Sequence, residues 1–96
     1  MNPQPYLVAY DIREPRRLQR VHSYLKRRAL PVQYSVFIAR LTPIQLQRLL
    51  AGLARLVDRT DDVRIYSLGH RPRVDTLGAQ ATEGVVARGA GAEGLE

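Results

Sequence analysis

Short apolar runs and helical stripes alternate along residues 5–77, each ended by a proline or a polar turn. That alternation leaves few folds open. Tyr6-Leu7-Val8-Ala9-Tyr10 is too short for a helix before the next breaker and is apolar at successive positions, so it predicts a buried strand ending at Asp11. Pro15 stands where a helix starts, and Leu18, Val21 and Leu25 follow at helical spacing. They predict an amphipathic helix from Pro15 to about Ala29, broken by Pro31. Val32 to Leu41 is rich in β-formers and holds no Gly, Asn or Asp turn signal, so propensity alone makes it one long strand.

Thr42-Pro43-Ile44-Gln45 has the form of a capping box with proline at the first helical position. Ile44, Leu46, Leu49, Leu50, Leu53, Leu56 and Val57 continue it as a wide apolar stripe. Arg59 to Asp62 reads as a polar turn. Val63 to Leu68 alternates as a strand does, and Gly69 ends it. A last short strand is expected at Arg73 to Leu77.

The resulting order is β-α-β-α-β, with a middle β segment long enough for two strands. Splitting it gives an α+β, β-α-β-β-α-β sandwich, the ferredoxin-like arrangement, with a short extra C-terminal strand. Residues 1–77 form the expected nucleic-acid-binding domain. Residues 78–96 carry five of the seven glycines and read as a flexible tail. Two helices cover one face of the sheet, which leaves Leu, Val and Tyr side chains on the other. A chain of 96 residues buries only roughly 60–65% of its unfolded surface, so a second copy is expected on that face as a homodimer.

The absence of cysteine excludes disulfides, thiolate zinc sites and cysteine nucleophiles. No apolar run approaches the ~18 residues of a membrane span, and MNPQPY lacks the features of a secretory signal. A soluble, cytoplasmic protein without a membrane partner is expected. Fifteen basic against nine acidic residues give a net charge of +6, which points to a polyanion, RNA or DNA. All of the basic residues but Lys26 are arginine, a preference that suits bidentate phosphate contacts and equally the codon bias of a GC-rich genome.

Asp11 is the first candidate for chemistry. It sits where an apolar strand leaves the sheet, and a carboxylate there can hold a hard cation. A twofold dimer supplies a second copy. The competing reading is that Asp11 caps the loop before Pro15. The second candidate is the run Arg13, Arg16, Arg17, Arg20, Lys26, Arg27, Arg28, which has one acid, Glu14, within it. Arg13, Arg16, Arg17 and Arg20 share a helix face by their spacing and form a one-signed stripe suited to phosphates. His22 and His70 lack metal-ligand spacing. Asp58, Asp61 and Asp62 read as turn residues on a solvated loop. Ser35 has no adjacent base in sequence and no nucleophile-elbow context, which argues against serine catalysis.

Four segments in register resemble one family. Tyr6 to Ile12 resembles its opening strand with a Tyr-Asp-hydrophobic ending, and the Arg-rich helix follows at the family's distance. Val32-Gln33-Tyr34-Ser35-Val36-Phe37 resembles its Val-Gln-x-Ser-Val-Phe signature, and Asp62 to Leu68 its fourth strand. The family is the small CRISPR-associated endonuclease of spacer acquisition. The resemblance implies a ferredoxin-like homodimer whose two Asp11 side chains face each other across the twofold axis and hold Mg²⁺. It also implies that the middle β segment is two strands, and that the strand near Arg73 to Leu77 pairs with the partner's sheet. Ser35 and Phe37 would shape the catalytic site, while Arg13, Arg16, Arg17, Arg20, Arg27 and Arg28 would hold RNA or DNA. The implied partner is the CRISPR integrase. Members are described both as metal-dependent nucleases and as duplex-binding adapters that bridge integrase dimers. A metabolite-sensing ferredoxin-like domain is a third reading, opposed by the one-signed stripe. The sequence departs from the family's pattern in two places: Leu30-Pro31 precede the Val-Gln, and Ile38 stands where an acid often follows the Phe. The second change removes a candidate metal ligand.

Overall fold

A computed structural model describes residues 2–71 together with Arg73 and Asp75. Its order is β1 (Gln4–Asp11), α1 (Pro15–Lys26), β2 (Leu30–Gln33), β3 (Val36–Leu41), α2 (Pro43–Leu56) and β4 (Asp62–Ser67). The strands form one antiparallel sheet in the order β2-β3-β1-β4. This is the expected β-α-β-β-α-β sandwich. The extra strand and the tail expected beyond Pro72 lie outside the described residues, save Arg73 and Asp75.

The middle segment does split in two. Its break at Tyr34-Ser35 carries no glycine, and among the described residues no non-glycine has a positive φ. The hairpin is therefore not one of the tight turns that demand left-handed residues and advertise themselves by Asn-Gly or Asp-Gly. The register instead slips between Pro31 and Gln33, an irregularity on the edge strand, where proline is tolerated. Tyr10 fixes the turn from the neighbouring strand. Its backbone N–H donates to the Ser35 carbonyl at 3.1 Å, and its hydroxyl donates to the Tyr34 carbonyl at 3.3 Å.

α1 stops at Lys26, three residues short of the expected end. Arg28 and Ala29 N–H groups both donate back to the Leu25 carbonyl and close the last turn. α2 opens as expected: Thr42 Oγ1 accepts from the Gln45 N–H at 3.2 Å, and Gln45 Oε1 accepts from the Thr42 N–H at 2.9 Å.

Alternation along the strands puts Val8, Tyr10, Phe37, Ala39 and Leu41 under the helices, where they meet Val21, Leu25, Leu49 and Leu53. Gly52 in α2 lets this layer close, because a Cβ there would strike the Tyr24 ring of α1. On the opposite face one row crosses all four strands. Leu30 lies opposite Ile38, Ile38 opposite Leu7, and Leu7 opposite Tyr66. Leu30 and Tyr66, at the ends of that row, are half exposed. Among the described residues no helix is long and apolar enough to cross a membrane.

Candidate nucleic-acid and metal site

Asp11 ends the central strand and is exposed. Among the described residues nothing hydrogen-bonds its carboxylate. The cap of α1 is Glu14, whose Oε1 accepts from the Arg17 N–H at 2.8 Å. The capping role open to Asp11 in the sequence is thus filled by another residue. Backbone N–H groups of Arg17 and Arg16 hold the Glu14 carboxyl below the usual range.

Directly across from Asp11 on β4 lies Asp62. Like charges facing each other across a ladder repel, and only one of these two has a countercharge on its own strand. Arg64 Nε donates to Asp62 Oδ2 at 3.0 Å. The two carboxylates open into a groove of about 430 Å³ that also takes in Arg13 and Arg17. Asp62 was not legible as a site residue. The one signal was positional: the strand that pairs antiparallel with β1 must begin where β1 ends.

The aspartate turn differs from the solvated loop expected. Arg17 Nε and Nη2 donate to the two carboxylate oxygens of Asp61 at 2.9 and 3.2 Å. Asp61 Oδ2 also accepts from the Asp58 N–H at 2.8 Å, and the Asp61 side chain is only 1% exposed. The Arg17 guanidinium holds the Asp61 carboxyl below its ordinary value, and Asp61 in turn raises the pKa of Arg17. Asp58 and Glu14 lie 3.9 Å from Arg17 Nη1. The stripe that is one-signed in sequence is therefore partly neutralised in space, and Arg17 is committed to the protein. Arg13, Arg16, Arg20 and Arg27 are exposed and have no ion pair among the described residues. Arg28 lies over the Tyr24 ring, 3.8 Å from its centroid, and donates to the Tyr24 carbonyl at 2.9 Å.

Ser35 is brought beside Asp11, since its carbonyl accepts from the residue before Asp11. Phe37 is fully buried and lies under the site, not in it. It sits in an aromatic cluster with Tyr10, at 6.3 Å between ring centroids, and His22, at 5.5 Å. His22 also stacks on the exposed Tyr34. The Tyr10 hydroxyl lies 3.0 Å from His22 Nδ1 while donating to Tyr34, so the tautomer with the proton on Nδ1 satisfies both contacts. Burial raises the pKa of this phenol. His22 is thus a support for the turn that carries Ser35. Among the described residues no three His, Cys, Asp or Glu side chains gather closely enough to hold a metal by themselves.

Residues 4–75 match the family model described as CRISPR associated protein Cas2. The chain is 44% identical over 75 residues to "CRISPR-associated endoribonuclease Cas2 2" of Thermodesulfovibrio yellowstonii, covering 77% of this chain and 82% of that one. It is 45% identical over 67 residues to "CRISPR-associated endoribonuclease Cas2 1" of Nitrosomonas europaea, covering 69% of this chain and 64% of that one. Among solved structures it resembles Streptococcus pyogenes Cas2 with a TM-score of 0.71 and 32% identity, over 77% of this chain and 99% of that chain.

Proposed function

The chain belongs to the Cas2 family of CRISPR-associated proteins, and from that membership we propose that it is an endonuclease of CRISPR adaptation, acting on RNA or DNA as a homodimer. The observation that carries this reading is the exposed Asp11 carboxylate, unbonded by the described residues and placed opposite Asp62 beside the exposed Arg13. A bare carboxylate repels phosphate unless a cation lies between them. Magnesium fits the donors present. It takes hard oxygen ligands and is commonly held by one or two carboxylates together with water and substrate phosphates. Asp11 and Asp62 would hold it, joined by Asp11 of the second copy if the twofold axis passes there. When bound, the ion polarises a phosphate and lowers the pKa of a coordinated water.

The chain's own groups do the rest. Arg13, Arg16 and Arg20 bind the flanking phosphates. Arg17 anchors the turn that precedes Asp62 through its bidentate bond to Asp61, and so keeps the groove in shape. Ser35 lines the turn beside Asp11. The row of Leu30, Ile38, Leu7 and Tyr66 supplies the apolar surface for the second copy.

One observation favours a second reading, in which the protein is a non-catalytic duplex-binding adapter for the CRISPR integrase. Among the described residues no three carboxylates of this groove gather closely enough to hold a metal, so a protomer by itself falls short of a self-sufficient metal centre. Cleavage of RNA and DNA with and without Mg²⁺, by wild type and Asp11→Asn, separates the two. The nuclease reading expects Mg²⁺-dependent cleavage that Asp11→Asn abolishes, with duplex affinity in the absence of Mg²⁺ unchanged or slightly tighter. Cleavage that survives in rigorously purified Asp11→Asn defeats it, and duplex binding without cleavage by wild type establishes the adapter.

A further inference from the structure

A second concavity lies at the other end of the molecule. It has a volume of about 300 Å³ and is walled by Arg28, Arg40 and Arg48, with Tyr24, Leu41 and Leu49 contributing its less polar lining. The three arginines come from the turn after α1, from β3 and from α2, so nothing local in the sequence announces them together. Arg40 pairs with Pro5, six residues along β1 from Asp11, which sets the two sites about 20 Å apart along the strand.

Several features set this cleft apart from an ordinary basic surface. No carboxylate lines it. Among the described residues the arginines with a carboxylate partner are Arg17, Arg64 and Arg73, none of them here. Two of the three guanidinium groups are nevertheless held. Arg28 is pinned by the Tyr24 ring and carbonyl, and Arg40 Nη2 donates to the Pro3 carbonyl at 3.4 Å. Each keeps further N–H donors for a ligand, since a guanidinium has five. Three like charges around one cavity repel until an anion enters, and arginine matches the bidentate geometry of phosphate. The aromatic and aliphatic lining beside them suits the uncharged part of a nucleotide.

We propose that this cleft is a second anion site, separate from the Asp11 groove, which seats the phosphate of a nucleotide, either free or within a polynucleotide. It does not rest on the nuclease reading, because neither Asp11 nor Asp62 takes part in it.

The test follows the arginine Nε–H signals by NMR while AMP, inorganic phosphate and a short DNA duplex are added separately to the full chain. AMP or duplex is expected to shift Arg28, Arg40 and Arg48. The double variant Arg40→Gln/Arg48→Gln, checked for an unchanged melting temperature, is expected to weaken the bound species by roughly tenfold or more. If AMP binding falls and duplex binding does not, the site takes a free nucleotide. If duplex affinity falls and its salt slope drops by about 1 for each lost phosphate contact, the site holds a polynucleotide. Signals of the three arginines that move with neither AMP nor duplex overturn the proposal, as does a double variant that binds both like wild type. Failure of cleavage by wild type would remove the nuclease reading and leave these signals to be judged independently.

Discussion

Asp61 is the residue whose sequence context misleads most. It stands among polar neighbours, yet its carboxylate is buried and clamped by Arg17. Its pKa is depressed on folding from an ordinary value of 3.8, so the folded state binds fewer protons than the unfolded one. The stabilisation is present above that ordinary value and is lost as pH falls through the lower folded value. Asp61→Asn should therefore melt at a lower temperature than wild type at pH 7, and the gap should narrow on acidification below about pH 4. A gap that stays constant with pH would show that the ion pair is not its origin. Phe37 gives the opposite lesson. The aromatic position in the strand was legible, but its place beneath the site was not, since a strand pattern does not say which face the helices will cover. Phe37→Ala should cost about 3–5 kcal/mol in urea denaturation, as for other large core truncations. A loss under 1 kcal/mol would contradict full burial.

At the scale of elements, the helices were readable because caps and stripes are local. The Thr42–Gln45 box is both expected and present. Thr42→Ala should lose about 1 kcal/mol, a fall of roughly 4–8 °C in a domain of this size, measured by thermal melting. Gly52 is less simple. Alanine in a helix interior is favoured over glycine by about 1 kcal/mol. Here its methyl group would displace Tyr24, whose hydroxyl reaches the Arg48 and Leu49 carbonyls and whose ring carries Arg28. Overpacking of that kind typically costs about 1–3 kcal/mol, so Gly52→Ala should lower the melting temperature. A rise would mean that the ring swings clear without loss. The β2–β3 turn carries no local turn signal because its support comes from Tyr10 on another strand, and its own residues need no unusual φ.

At the scale of the molecule, the apolar row from Leu30 to Tyr66 exists only once four strands are in register. Tyr66→Glu should convert the proposed homodimer to a monomer by light scattering, because it places a charge at the end of a surface that a second copy must desolvate. Wild type that is monomeric at micromolar concentration would remove the shared Asp11 site with it. The sequence by itself determined the element order, the two helix starts, the buried central strand and Asp11 at its end. Those depend on spacing and capping between residues a few positions apart. Tertiary structure alone decided that Asp62 faces Asp11, that Asp61 neutralises Arg17, and that Arg28, Arg40 and Arg48 surround one cleft. In each case the partners are many residues apart along the chain. Electrostatic interaction depends on distance in space, so a charge pattern reads as one-signed in sequence and is rebalanced, or concentrated, only when the strands pair.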